Sequence, residues 1–450
     1  MICTTTTDLQ KVPEGDLIEL RVDLLPEVDF EMISTFRKKV KKPLILTYRG
    51  ASQETIEKLA KLKPDYIDVD IEGQRPLPES YPEIQWIVSY HNFKEMPEDL
   101  DTVLKKLKTF PAALYKIAAK AESTLDTLKM LLWLKKQQNV VALPMGPHGT
   151  FGRILAPFLG SKFTFAYHKE PSAPGQLSYD QMKAYYTFKN PSFYGLIGDP
   201  VDQSISDITH NRVMKDADLN AVYVKMTVHP RELEKFLDGV KQLDFQGLSA
   251  TMPLKETLIP LVDELSEEAK AIGAINTLTF KGGKIFADNT DGIGALSNRD
   301  LNGKHVIVLG AGGAAKAIIH TALKKGAHVT VLNRTPEKGQ ELSDQFNIPF
   351  FPLAQATKVL QKGYDVLINC TPNPCPIDPD DLLPKKTVIE TKTKPKETDL
   401  LKAAREKNCP VHFGFEMFVG QAVLQFQTWF PDSKAPFEKL LNRSVLETQF

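Results

Sequence analysis

At 450 residues the chain exceeds one ordinary core of about 100–200 residues, and its 42% hydrophobic and 25% charged content is that of a globular protein. Its 56 Lys and Arg balance 56 Asp and Glu, which leaves no basic surplus for broad binding to nucleic acid or anionic membrane. No apolar run reaches the roughly 18 residues of a membrane span, Met1-Ile2-Cys3 does not open a signal peptide, and Cys3, Cys370, Cys375 and Cys409 form neither a CxxC pair nor a zinc-spaced cluster. A reduced cytoplasmic protein without a metal is expected.

Eight short apolar strands are predicted over the first 190 residues, at 2–6, 17–23, 43–49, 66–71, 85–91, 113–118, 140–145 and 163–167. Between them, stretches such as 56–62, 100–107 and 124–136 repeat apolar residues at helical spacing. Strands alternating with helices predict a (β/α)8 barrel, short for its class. A turn-rich loop at 170–175 and a helix at 179–188 close that unit. The β/α rhythm restarts at 193–198, continues through strands at 221–226 and 247–250, and breaks again near Asn302-Gly303-Lys304. The expected class is α/β. A barrel over 1–190 precedes a small α/β domain over 191–297, which 418–450 rejoins, and a Rossmann domain spans 298–417.

The strand at 305–309 runs into Gly310-Ala311-Gly312-Gly313-Ala314-Ala315-Lys316 and a helix through Lys324. This is G-x-G-x-x-A between a strand and a helix, the context in which the pattern is specific. The first glycine allows the tight turn, the second lets backbone approach a pyrophosphate, and the helix N-terminus faces the phosphate charge. The next strand, 327–332, ends in Asn333-Arg334-Thr335, where a NAD site carries an acid for the ribose hydroxyls. A cation and a hydroxyl suit a 2′-phosphate instead. NADP is the expected cofactor, on Gly310, Ala311, Gly312, Gly313, Ala314, Asn333, Arg334 and Thr335.

Ketone reduction by hydride needs a proton donor beside the forming alkoxide. Lys255 and Asp291 are candidates. They lie within Ser249-Ala250-Thr251-Met252-Pro253-Leu254-Lys255-Glu256 and Asp288-Asn289-Thr290-Asp291-Gly292. Around these stand Gly198-Asp199-Pro200, Ser204-Ile205-Ser206, His210-Asn211, Gly273-Ala274-Ile275-Asn276-Thr277 and Glu416-Met417-Phe418-Val419-Gly420-Gln421. In this order, flanking the glycine-rich loop, the motifs make the chain from about Phe193 to its end resemble the shikimate dehydrogenases. The resemblance implies that Lys255 and Asp291 form a catalytic pair. It also implies that Ser204 and Ser206 donate to a substrate carboxylate, and that Thr251, Asn276 and Gln421 bind ring hydroxyls. The chain departs from that family at Gln203 and Leu254, where histidines are usual, and at Asp207, where proline is. Thr393 stands in place of a substrate-binding tyrosine, and Asn369-Cys370-Thr371-Pro372 in place of Asn-Ala-Thr-Ser.

In a barrel the chemistry sits at the C-terminal strand ends. Those ends carry Glu19, Arg21, Arg49, Asp68, Asp70, His91 and Lys116, a dense set of charges on apolar strands. A lysine there, if neutral, attacks a carbonyl to form an imine, and histidine shuttles protons near neutral pH. The runs Glu19-Leu20-Arg21-Val22-Asp23, Thr47-Tyr48-Arg49, Tyr66-Ile67-Asp68-Val69-Asp70, Ser89-Tyr90-His91-Asn92, Lys116-Ile117-Ala118, Gly152-Arg153 and Ser172-Ala173-Pro174-Gly175-Gln176 make residues 1–188 resemble the type I 3-dehydroquinate dehydratases. The resemblance implies an imine on Lys116, proton transfer by His91, a carboxylate clamp at Arg153, and polar contacts from Glu19, Arg21, Arg49, Ser172 and Gln176. The family's Glu-Gly-Gly, whose acid pairs with the histidine, is replaced here by Gln53-Glu54-Thr55. Gln53 stands at the acid's position; either a small loop shift lets Glu54 serve, or His91 lacks a carboxylate partner and dehydration slows.

The two resemblances meet on one compound, since the product of dehydration, 3-dehydroshikimate, is the ketone that the second half would reduce to shikimate. A bifunctional enzyme acting on these small molecules with NADP and no metal is expected. Two alternatives stand beside it. One is another pairing, with a class I aldolase barrel or a quinate dehydrogenase. The other is an active dehydrogenase fused to a barrel with weak or lost dehydratase activity.

Overall fold

A computed structural model describes residues 1–73 and 75–449. It comprises two units, one of Met1–Ser192 with Asn220–Asp244, the other of Phe193–Leu219 with the chain from Phe245 onward.

The first unit is built on eight parallel strands: β1 (Ile2–Thr6), β2 (Leu17–Arg21), β3 (Leu44–Thr47), β4 (Tyr66–Asp70), β5 (Gln85–Asn92), β6 (Leu114–Lys120), β7 (Val140–Met145) and β8 (Thr164–Tyr167). Their order is β7-β6-β5-β4-β3-β2-β1-β8, a nearly closed barrel. The gap between its ends is bridged just before β8, where the Lys162 amide donates to the Val140 carbonyl at 3.2 Å. Cys3, Ile45, Ile87 and Val141 fill the interior.

The barrel helices are α1 (Phe30–Lys39), α2 (Gln53–Ala60), α3 (Leu100–Leu107), α4 (Thr124–Leu134), α5 (Thr150–Leu155) and α6 (Tyr179–Lys183). Side-chain oxygens of Asp29, Ser52, Asp99 and Ser123 accept first-turn amides of α1 to α4, which fixes where each begins. Eight helices were the expectation. Among the described residues none forms between β1 and β2 or between β4 and β5. The second connection holds Pro76, Pro78 and Pro82, each without the amide that a helix interior uses.

Downstream come β9 (Ser192–Gly198) and α7 (Ser206–Asp216). The following β10 (Ala221–Thr227) and α8 (Leu233–Gln242) group with the first unit. There Thr124 of α4 donates to the Thr227 carbonyl at 2.5 Å, and Lys135 donates to the Gln242 carbonyl at 2.9 Å.

The second unit continues with β11 (Phe245–Ala250), α9 (Leu254–Thr257), β12 (Glu264–Leu265), α10 (Glu267–Ile272), β13 (Thr277–Lys281), β14 (Lys284–Asp288) and α11 (Asp291–Leu296). Strand β11 lies parallel to β9 and antiparallel to β13; β14 is antiparallel to β13 and parallel to β12.

A separate parallel sheet follows, with β15 (His305–Leu309), α12 (Gly313–Lys324), β16 (His328–Asn333), α13 (Pro336–Phe346), β17 (Phe350–Pro352), α14 (Ala356–Leu360), β18 (Val366–Asn369), β19 (Thr387–Glu390), α15 (Asp399–Glu406) and β20 (Val411–His412). Its order is β17-β16-β15-β18-β19-β20, the doubly wound arrangement expected of a Rossmann domain. Alternate residues of β15 enter opposite cores, Val306 and Val308 with α12 on one face, Ile307 and Leu309 with α14 and α15 on the other.

Helix α16 (Gly414–Trp429) then crosses α11, and α17 (Phe437–Gln449) ends the described chain. At the crossing a Cβ on Gly294 would lie 2.3 Å from the Gln421 amide nitrogen, and one on Gly420 would lie 2.2 Å from the Gly294 carbonyl oxygen. Neither position has room for a side chain.

Two candidate active sites

In the first unit Glu19, Arg21, Arg49, His91, Lys116, Arg153, Ser172 and Gln176 line one cavity of about 390 Å³, counted with its open mouth. Lys116 lies midway along β6 with its side chain 2% exposed. Its ammonium is held by Asp68 of β4, whose side chain is 1% exposed. Burial opposes the charge on Asp68, but the Lys116 and His91 charges and hydrogen bonds from Lys116 and Ser89 outweigh it and hold its pKa low. The Phe165 ring sits 5.0 Å from the Lys116 nitrogen.

His91 stands near the end of β5. Its Nδ1 donates to Asp70 Oδ2 at 2.8 Å, and Arg49 Nη2 donates to its Nε2 at 2.8 Å. Burial leads in pushing the His91 pKa down, joined by the Lys116 and Arg49 charges, against the Asp70 hydrogen bond that raises it. Asp70 is held low chiefly by that hydrogen bond, against its own burial. A neutral imidazole donating to an ionised carboxylate satisfies both shifts.

The expected acid is not the partner. Glu54 lies on the exposed face of α2, paired to Lys58 at 2.8 Å, because the register of that helix turns it to solvent. Gln53 is tied to the Arg75 backbone. The D-x-D spacing of Asp68 and Asp70, noted above only as strand-end charge, is the signal of the true partner. Residues i and i+2 of a strand share a face, so both carboxylates reach the barrel interior.

Around this pair the cavity wall is polar and built. Glu19 accepts from Thr5 at 2.7 Å and Thr47 at 2.8 Å. Asp23 takes the Arg21 fork at 2.9 and 2.6 Å. Ser172 donates to Gln176 at 3.0 Å. Their loop passes Gly175, whose φ is +74° and whose Cβ would meet the Gly146 carbonyl oxygen at 2.2 Å. Arg153 enters from α5. The preceding Gly152 permits this, since a Cβ there would lie 2.5 Å from Pro144 and from Thr127. Arg153 is 2% exposed, its Nε finds no partner among the described residues, and burial lowers its pKa to about 10. A buried guanidinium without a carboxylate is costly until an anion meets it.

In the second unit Lys255 of α9 pairs with Asp291, the first residue of α11. Asn276 donates to Asp291 at 2.9 Å, to Thr290 at 3.0 Å and to Gln421 at 3.4 Å. Four of the predicted residues thus form one cluster. Ser204 and Ser206 form a hydroxyl pair at 2.8 Å where α7 begins, Ser206 being its first residue. The Thr251 amide donates to the Ile197 carbonyl at 2.8 Å, and Gly198 leaves room for the Thr251 methyl, 2.3 Å from where its Cβ would stand. Of the departures, Leu254 is fully buried, Asp207 is buried and Gln203 is exposed. Thr393 follows β19 half-buried. Glu390 beside it, unmarked in the sequence, is pushed up by burial and accepts from Asn369 at 2.9 Å and Thr398 at 3.1 Å.

The loop Gly310-Ala311-Gly312-Gly313-Ala314 joins β15 to α12. Gly310 takes φ +110°, where a Cβ would stand 3.2 Å from the Cys370 carbonyl, while a Cβ on Gly312 would meet open space. Among the described residues no side chain caps α12, which leaves its first amides open to a ligand. Past β16, Asn333 donates to the Thr335 carbonyl at 2.8 Å, and Arg334 and Thr335 are exposed. Glycine turn, uncapped helix and exposed cation fit a dinucleotide with a 2′-phosphate.

Comparisons with known proteins match both halves of the chain. The type I 3-dehydroquinase family matches residues 3–192, the shikimate dehydrogenase substrate binding domain 196–278, and the shikimate/quinate 5-dehydrogenase family 294–399. The shikimate biosynthesis protein AroDE of Chlamydia pneumoniae is 35% identical over 94% of this chain and 91% of its own. The chloroplastic bifunctional 3-dehydroquinate dehydratase/shikimate dehydrogenase of Arabidopsis thaliana is 32% identical over 95% and 80%. Among solved structures, shikimate 5-dehydrogenase of Thermus thermophilus in complex with NADP(H) and shikimate superposes with a TM-score of 0.51 at 28% identity, over 56% of this chain and 99% of that one. With an enzyme domain for each of two activities in one polypeptide, and relatives matching along almost all of it, the chain belongs to the family of bifunctional 3-dehydroquinate dehydratase/shikimate dehydrogenases.

Proposed function

We propose that the barrel removes water from 3-dehydroquinate through an imine on Lys116, and that the second unit reduces the resulting 3-dehydroshikimate to shikimate with NADPH. The observation that carries the first step is the cavity itself, where an amine, an imidazole–carboxylate pair and an unpaired buried guanidinium face one space. Arg153 would clamp the substrate carboxylate with its planar fork. Lys116 would attack the ketone, two of its ammonium protons leaving with the carbonyl oxygen as water and the third staying on the imine nitrogen beside the Asp68 carboxylate. The imine acidifies the adjacent C–H. Nε2 of His91 takes that proton once Arg49 turns from it to a substrate oxygen, and Asp70 stabilises the imidazolium. The same proton leaves with the hydroxyl group as water. Hydrolysis of the imine then frees the product and restores Lys116. Glu19, Arg21, Ser172 and Gln176 hold the remaining polar groups. The carboxylate on His91 speaks against a barrel that serves only as a scaffold.

In the second unit NADPH, when bound, supplies the hydride. Ser204 and Ser206 donate to the substrate carboxylate, and Thr251, Asn276 and Gln421 to ring hydroxyls. The Lys255–Asp291 pair delivers the proton to the carbonyl oxygen as it becomes a hydroxyl group. Gly310 to Ala314 would receive the pyrophosphate, with Asn333, Arg334 and Thr335 at the 2′-phosphate. The separate sheets of the second unit support its division into a substrate-binding part, 191–297 with 418–450, and a dinucleotide-binding part, 298–417, after a barrel over 1–190. The four free thiols suit the reducing cytoplasm.

The test is NADPH oxidation with 3-dehydroquinate as the only organic substrate. Steady oxidation is expected, and borohydride added with 3-dehydroquinate should leave a covalent adduct on Lys116. Oxidation with 3-dehydroshikimate but not with 3-dehydroquinate, and no adduct, would leave the barrel without its proposed activity.

A further inference from the structure

The first turn of α12, which would face the dinucleotide, also touches the proton-transfer pair. Gly313 has no side chain, and Lys255 lies across it. A Cβ there would stand 3.0 Å from Lys255 Cβ and 3.1 Å from its Cδ. On the same turn Lys316 pairs with Glu256 at 2.7 Å, its side chain only 15% exposed. Glu256 directly follows Lys255 in α9, a helix of four residues. The other partner rests on the same helix. Asp291 precedes Gly292, whose Cβ would lie 2.2 Å from the Ala317 carbonyl oxygen and from Thr321 Oγ1. Lys255 and Asp291 are thus both seated on α12, one by a glycine of that helix and one by a glycine of α11.

We infer that Lys316 is a positioning residue for the reduction. Through Glu256 it fixes the short α9 turn so that the Lys255 amine meets Asp291, and it ties that geometry to the helix that receives the dinucleotide. The inference rests on the dehydrogenase activity proposed above. Magnitudes separate the role from a structural one. A partly exposed ion pair contributes little to stability, whereas a displacement of about 1 Å at a reacting centre costs on the order of a hundredfold in rate.

The experiment uses the full chain with Lys316→Met, Glu256→Gln, the double variant and Lys316→Arg. It reads kcat and KM for 3-dehydroshikimate with NADPH, the dissociation constant for NADP, and the rate at which an acylating reagent labels Lys255 without cofactor, followed by mass spectrometry. Either single variant should lose about 10- to 100-fold in kcat, with KM and NADP affinity within about twofold. Lys255 should be labelled several-fold faster, because its amine is less firmly held by Asp291. The double variant should be no worse than either single one, and Lys316→Arg should restore most of kcat. Weaker NADP binding at unchanged kcat would make Lys316 a phosphate contact and overturn the inference, as would additive single effects or unchanged labelling. An active wild type with an unaffected Lys316→Met overturns this inference alone. A wild type that leaves NADPH unoxidised with 3-dehydroshikimate overturns the dehydrogenase activity and this inference with it.

Discussion

His91 shows how one side chain acquires its chemistry. With Nδ1 committed to Asp70, the basic lone pair is placed on Nε2, on the cavity side. Replacing Asp70→Asn should therefore lower the dehydration kcat by about a hundredfold or more. It should also move the acidic limb of the pH–rate profile to lower pH. The sign follows from the Asp70 hydrogen bond, which raises a His91 pKa that burial lowers, so that its loss lets the pKa fall further. Glu54→Gln, on the exposed face of α2, should leave the rate within about twofold. Lys116 and His91 were legible because a charge on an apolar strand needs a reason. The His91 partner was not. In the register of β4 with β5, Asp70 lies opposite Ser89, two residues before His91 on the same face, and that relation exists only once the strands pair.

At the scale of elements, α5 and β16 carry consequences that differ in kind. Helix α5 brings the Arg153 charge into the barrel with no carboxylate partner among the described residues, so function and stability oppose one another there. Arg153→Leu should raise KM for 3-dehydroquinate about 10- to 100-fold, the measure of a charged hydrogen bond. In thermal unfolding monitored without substrate, it should raise the midpoint of the barrel. A lowered midpoint would show that the guanidinium contributes more packing than it costs in desolvation. Past the end of β16, Arg334→Asp should weaken NADP by about tenfold or more and favour NAD, as read from the ratio of the two kcat/KM values. Apolar runs located the strands to within about two residues, since burial on both faces leaves little choice of residue. Among the described residues the rule that a helix follows each strand failed between β4 and β5, where proline prevails over topology.

Across the whole molecule, two sites with separate residues predict separable activities. Asp291→Asn should let 3-dehydroshikimate accumulate from 3-dehydroquinate at the wild-type rate, followed by its absorbance. Lys116→Ala should keep the NADPH-dependent reduction of added 3-dehydroshikimate while yielding no borohydride adduct. The two halves could be read from the sequence because each carries its own ordered set of motifs. The grouping of 220–244 with the barrel could not, because it depends on α8 meeting α4, where a Cβ on Gly239 would lie 2.9 Å from Leu128. A last consequence concerns how such a chain can drift. Exchanging glycine for alanine within helices is a common route to heat-tolerant variants. At Gly294 and Gly420 that route is shut, because an added methyl would wedge α11, which carries Asp291, away from α16, which carries Gln421. Lineages adapting to hot habitats must leave this crossing untouched and gain their tolerance elsewhere.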